Sequence, residues 1–148
     1  MRNLKKILAL VLSLMMVLSV MVTASATDFA DDADITNKEA VEVMSALGIL
    51  SGSQGKFDPK GTLTREQAAK IISYLLLGNK TAEALAGSGK FTDVAKNSWS
   101  AGFVDYCAST GVVNGVGDGK FDPNGQLTGY QFAKMLLVAL GYDAKIEG

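Results

Sequence analysis

Six residues of this 148-residue chain carry side chains or backbone freedom suited to gripping a ligand: Arg65, Asp93, Trp99, Gly117, Asp118 and Gly119. A guanidinium is a planar fork of N–H donors that holds a carboxylate through two parallel hydrogen bonds. Arg65 follows a helix-start signal, where a positive charge opposes the helix dipole, so it is either a solvated first-turn residue or a binding cation. Trp99 offers a flat apolar face on which a ring can stack, or else it plugs a core. Asp93 and Asp118 can accept hydrogen bonds from ligand hydroxyls or cap turns. Gly117 and Gly119 either let a ligand approach the backbone or simply permit the turn.

Composition narrows the chemistry to binding. The chain has no histidine, which removes the commonest general base and the commonest metal ligand together. Its one thiol, Cys107, falls on an apolar helical face and reads as core. The acids form no pair that can be placed across one cleft. No enzyme, catalytic residue, metal or cofactor is therefore expected. Calcium fails in the loop around Asp118: setting Asp118-Gly119 at the acid-glycine step of a calcium loop puts Val116 and Gly125 where oxygen ligands belong.

The elements that position these residues come from a repeat. GKFDPKGTLT at 55–64 returns as GKFDPNGQLT at 119–128, and the two prolines of the chain sit one in each copy. An amphipathic stretch precedes each loop and an apolar helix follows. Ala40, Val43, Met44 and Leu47 mark the core face of the first helix in one copy; Phe103, Tyr106 and Cys107 mark it in the other. Gly48 and Gly111 stand where a left-handed C-cap belongs. Pro59 and Pro123 should push the aspartates before them into an extended conformation, and Phe57 and Phe121 should plug into the helix pair. Thr64 with Gln67, and Thr128 with Gln131, spell a capping box at the second helices. Those helices should bury Ala68, Ile71, Ile72, Leu75 and Leu76 in one copy, and Phe132, Met135, Leu136, Ala139 and Leu140 in the other. Between the units, residues 78–90 read as a polar linker with one short helix near 82–86.

The N-terminus reads as a secretory signal. Arg2, Lys5 and Lys6 precede an apolar run at 7–22, and Ala24-Ser25-Ala26 supplies a small-x-small cleavage pattern. Of the 14 Lys+Arg in the chain, removing these three leaves 11 against 15 Asp+Glu, a net charge of −4. Nucleic acid is not expected as a partner, because that needs a basic face. Nor is a membrane once the signal is cleaved.

The residues Phe91, Asp93, Val94, Trp99, Gly111, Gly115, Asp118, Gly119, Phe121, Pro123, Leu127 and Thr128, ahead of an apolar helix, resemble the S-layer homology motif. A fainter copy opens at FADDADI, and together the copies span about residues 29–141. The resemblance implies an all-α fold in which tandem helix–loop–helix repeats pack as a pseudo-threefold helical bundle, here incomplete. It implies non-covalent anchoring at the bacterial cell surface through the secondary cell wall polysaccharide. The polymer is often gripped at a pyruvylated acidic terminus, in grooves between motifs. Arg65 matches the family arginine and Trp99 the family tryptophan, and with Asp93, Gly117, Asp118 and Gly119 they form the expected polysaccharide-binding set.

The expected organisation is a signal peptide at 1–26, a first repeat at 27–78, a linker at 79–90, a second repeat at 91–141 and a tail at 142–148. The expected location is secreted, at the cell wall or S-layer. The chain departs from the pattern at Gly129, which replaces the arginine in the second repeat, and at DITNKEA, which lacks the tryptophan. Two motifs should leave apolar helix faces uncovered, to be completed by another chain of the family or by a second copy. The alternative is a self-assembling envelope subunit, or a truncated fragment, with no carbohydrate affinity of its own.

Overall fold

Two helix–loop–helix units account for the computed structural model, which describes residues 29–142. The signal peptide assigned to 1–26 and all but the first residue of the tail lie outside the described residues. The helices are α1 (Lys38–Ala46), α2 (Arg65–Leu77), α3 (Asn79–Glu83), α4 (Ala101–Ser109) and α5 (Gly129–Ala139), and a 3-10 turn at Asp32–Asp34 precedes them. Extended structure among the described residues amounts to isolated bridges, so the fold is all-α.

The capping signals act as read. Thr64 and Thr128 each accept a hydrogen bond from the backbone N–H of Gln67 or Gln131, and each glutamine Oε1 in turn accepts from the threonine amide. This satisfies two orphan donors at each helix start. Gly48 and Gly111 end the first helices with φ of 70° and 76°. The following amides, Ile49 N–H and Val112 N–H, donate back to Met44 and Cys107, which closes a Schellman turn in both copies.

The main core is shared between units. α2 belongs to the first repeat in sequence yet packs on α4 of the second. Ala68, Ala69 and Ile72 of α2 meet Phe103, Val104 and Cys107 of α4, with Phe121 and Met135 closing the cluster. The linker joins in. Ala82 is fully buried, and Leu85 packs against the same cluster. A smaller core in the first repeat holds Phe29, Ile35 and Val41, with Phe57 against it.

Several expectations are corrected. In α1 the buried residue is Val41, while Val43 and Leu47 are 52% and 61% exposed. The face they mark is apolar, but no described helix covers it as α2 covers α4. Leu75, Leu76 and Leu140 are exposed for the same reason, at the outer ends of α2 and α5. Phe121 is fully buried as a plug should be, whereas Phe57 is half-buried. The linker helix begins three residues earlier than read, at Asn79. Asp58 and Asp122, although each precedes a proline, have φ of 57° and 61° rather than extended backbone.

Candidate functional site

Each loop is held by an aspartate from its lead-in. Asp93 accepts from the backbone N–H groups of Phe121 (2.8 Å) and Asp122 (2.7 Å), one on each carboxylate oxygen. Asp31 does the same for Phe57 and Asp58, at 2.8 Å each. Asp58 and Asp122 themselves sit in the left-handed region, which aspartate tolerates better than most residues. Both clasping carboxylates have lowered pKa values. The Phe57 amide leads for Asp31; for Asp93, burial pushes upward but the amides of Phe121 and Asp122 outweigh it. Asp93, read as a candidate sugar ligand, thus has both oxygens engaged on the loop. Asp31 was legible as its partner in the shared Phe-x-Asp of FADD and FTDV.

The hairpin residues have a structural account as well. Asp118 and Gly119 have φ of 50° and 70°, the paired positive values of a type I′ turn, closed by the Gly117–Lys120 bridge. Gln54 and Gly55 form the same turn in the first repeat. Gly119 also accepts the Thr92 amide at 2.9 Å, tying the tip to the lead-in. Asp118 itself is exposed.

Arg65 lies at the junction of the two repeats. Its backbone N–H donates to Gly125 and that of Glu66 to Pro123, so the start of α2 docks on the loop of the second repeat. The side chain follows. Nε donates to the Phe121 carbonyl (2.9 Å), Nη2 donates to the Asn114 carbonyl (2.8 Å), and Cζ sits 4.6 Å from the Phe121 ring centroid. Burial draws its pKa below the ordinary arginine value, while Asp122 and Asp93 push it back. Two of its five N–H donors are thereby used on the protein among the described residues. The arginine borders a cavity of about 290 Å³ with Asn114, Gln131, Lys134 and Met135. That lining includes two cations and no carboxylate. Sequence reasoning missed Asn114, Gln131 and Lys134, because only the folding of α5 across the Gly111–Asn114 segment brings them to Arg65.

Trp99 lies elsewhere. It is 55% exposed rather than a core plug, tilted against Phe103 at 6.5 Å, with Lys70 Nζ 5.9 Å from its ring centroid. Glu66 holds the neighbouring Ser100 through a 2.6 Å hydrogen bond from its hydroxyl. The six sequence candidates therefore divide into Arg65 at a cavity, Trp99 on an open ledge, and Asp93 with Gly117, Asp118 and Gly119 in the loop that shapes the junction. Cys107 is buried, and burial pushes its thiol pKa up. Among the described residues no cluster of His, Cys, Asp or Glu could hold a metal ion.

The family model for the S-layer homology domain matches residues 28–69 and 90–133. The chain is 36% identical to a cell surface protein of Thermoanaerobacter kivui over 96% of its own length and 19% of that protein's. It is 30% identical to a middle cell wall protein of Brevibacillus brevis over 84% of its length and 12% of the relative's. It is likewise 30% identical to a surface layer protein of Brevibacillus choshinensis, over 84% and 11%. The chain thus spans a fifth or less of the length of these relatives. No solved structure matches it.

Proposed function

The chain belongs to the S-layer homology family, and from that premise we propose that it is a non-covalent anchor binding the secondary cell wall polysaccharide of a bacterial envelope. The observation that carries this reading furthest is the cavity at Arg65. A carboxylate there, such as a pyruvyl group on a terminal sugar, would meet the free edge of the guanidinium and the Lys134 ammonium in a lining that holds no carboxylate, with Asp122 and Asp93 as the protein charges it would join at the arginine. It would also offset the burial that disfavours the arginine charge. Trp99 and Lys70 form a second contact in this reading, stacking and hydrogen-bonding a sugar further along the chain. Asp93, Gly117, Asp118 and Gly119 act through the shape of the loop. Residues 1–26 serve as the export signal, 27–78 and 91–141 as the two repeats joined by 79–90, and the location is the cell wall.

The test is co-sedimentation of residues 27–148 with purified wall sacculi, with and without their secondary polymer. Lys134→Gln tests the cavity, because Lys134 lines it from an exposed position on α5. Polymer-dependent binding that weakens severalfold in the variant supports the reading, and equal binding to stripped sacculi would sink it. The open apolar residues Leu137 and Leu140, 47% and 64% exposed, favour a second reading as a self-assembling envelope subunit.

A further inference from the structure

Asparagine precedes glycine twice in the chain, at Asn114-Gly115 and Asn124-Gly125, and both pairs lie in the second repeat. The corresponding places in the first repeat are Ser51-Gly52 and Lys60-Gly61, which carry no side-chain amide. An asparagine before glycine can close a five-membered ring on its own backbone, because no side chain on the glycine shields the attacking nitrogen. Both asparagines are exposed. The structure nevertheless treats the two pairs differently. The Gly125 amide donates to the Asp122 carbonyl at 3.0 Å, so its proton is held inside a turn. The Gly115 amide donates to nothing among the described residues.

The carbonyl of Asn114 supplies a second difference. Arg65 Nη2 donates to it at 2.8 Å. That carbonyl belongs to the peptide whose nitrogen must lose a proton before it attacks, and the resulting anion shares its charge with the carbonyl oxygen by resonance. A guanidinium on that oxygen favours the anion, as an opposite charge favours any charged form. No group donates to the Asn124 carbonyl among the described residues.

We infer that Asn114 is a site of spontaneous deamidation, which places a carboxylate at the Arg65 cavity. The Gly115 nitrogen, once solvent has taken its proton, bonds to Asn114 Cγ. The Cγ–Nδ2 bond breaks, and the amide nitrogen leaves as ammonia with a proton from solvent. Water then adds to one of the two ring carbonyls and breaks its bond to the ring nitrogen, which recovers a proton. Opening at Cγ leaves aspartate. Opening at the main-chain carbonyl leaves an isoaspartyl link and frees, as a carboxylate, the group that Arg65 already holds. Nothing is oxidised or reduced. Either product adds an acid to a lining of about 290 Å³ that otherwise offers Arg65 and Lys134 and no carboxylate. The consequence for anchoring rests on the polysaccharide reading: the new acid competes with an acidic sugar for both cations, so the anchor loosens as it ages.

The experiment uses the second pair as an internal control. Residues 27–148 are incubated at mildly alkaline pH, folded and in parallel unfolded in guanidinium chloride, and the acid formed at each pair is followed by peptide mass mapping. In the folded protein Asn114 should convert severalfold faster than Asn124, and at least as fast as in denaturant, where the two should convert alike. Equal rates in the folded protein, or Asn124 ahead, overturn the inference. So does an Asn114 that converts more slowly folded than unfolded, since the fold would then protect it. For the consequence, Asn114→Asp should bind polymer-bearing wall sacculi severalfold more weakly than fresh wild type, and wild type aged until Asn114 is converted should match it. Binding by both as tight as that of fresh wild type overturns the loosening. Fresh wild type that shows no polymer-dependent binding counts against the polysaccharide reading alone, because the mass measurement stands without it.

Discussion

Arg65 lies across the ring of Phe121, 56 residues away in sequence, while its Nε donates to that residue's own carbonyl. One side chain therefore joins the second helix of one repeat to the loop of the next and also borders the cavity between them. Structural and binding roles coincide in it, so a loss of binding on removing Arg65 is ambiguous unless stability is measured as well. Arg65→Ala should destabilise the chain by about 2 kcal/mol, from two hydrogen bonds to a charged donor and the cation–π contact. Arg65→Lys should recover part of this, since an ammonium reaches one carbonyl but does not span both. Urea denaturation followed by circular dichroism reads the difference, and a change below about 0.5 kcal/mol for the alanine variant would show that the contact is not a clip.

The clasps predict acid sensitivity. Asp31 and Asp93 have folded pKa values below their unfolded ones, so the stability they contribute is present above the ordinary aspartate pKa and lost as pH falls through the folded value. Urea midpoints should therefore hold steady from neutral pH to about 5 and decline below about 4. Asp93→Asn should lower the neutral-pH midpoint and flatten that decline, since a neutral amide oxygen can accept one loop amide but not both. An unchanged acid slope in Asp93→Asn would remove the clasp from the account of acid unfolding.

Much of this architecture was legible because it is local. The capping boxes, the glycine C-caps and the repeated hairpin depend on residues within a few positions of one another, and the chain writes each of them twice. Burial in α1 was not legible. Val43 and Leu47 have the spacing of a core face, but whether a helix covers that face depends on a neighbour that periodicity does not describe. The cavity at Arg65 was half legible. The arginine stood out as a cation in a first turn, whereas Lys134 looks like an ordinary exposed helix residue and Gln131 like a helix cap alone until α5 is laid across the Gly111–Asn114 segment. The aspartates before Pro59 and Pro123 show a local rule overridden, since both take positive φ at the head of a turn whose Gly61 or Gly125 amide donates back to the aspartate carbonyl, where a residue preceding proline should be extended.

Trp99 provides its own reporter, being the one tryptophan of the chain. At 55% exposure its emission should be quenched readily by acrylamide in the free protein. Addition of purified wall polymer should shift the emission to the blue and protect it from the quencher. Trp99→Ala should cost about 1–3 kcal/mol, because a little under half of the residue is buried, while weakening binding severalfold. Emission unmoved by polymer at saturating binding would remove Trp99 from the contact.

The glycines at 115 and 129 should respond to alanine with opposite sign. A Cβ at Gly115 would lie 2.7 Å from the Lys120 carbonyl oxygen and 2.9 Å from Cε1 of Phe91. Neither can retreat easily, because Phe91 is packed on Phe121 at 5.4 Å and Lys120 closes the hairpin. Gly115→Ala should cost about 1–3 kcal/mol, the range for overpacking a fixed contact. Gly129 opens α5 into empty space, and alanine there should be neutral or stabilising by up to about 1 kcal/mol through the unfolded chain's lost freedom. The contrast matters because the approach at Gly115 and Gly52 sets the register of the two repeats. The second hairpin has one residue more than the first, with Val116 rather than Gly117 donating to the Lys120 carbonyl, whereas Ser53 both donates to and accepts from Lys56. The extra residue is absorbed between Gly115 and the turn, so the close approach of glycine to the lead-in ring is kept the same in both copies. Equal stability of Gly115→Ala and wild type by urea denaturation would show that this register is not pinned where the rings and glycines meet.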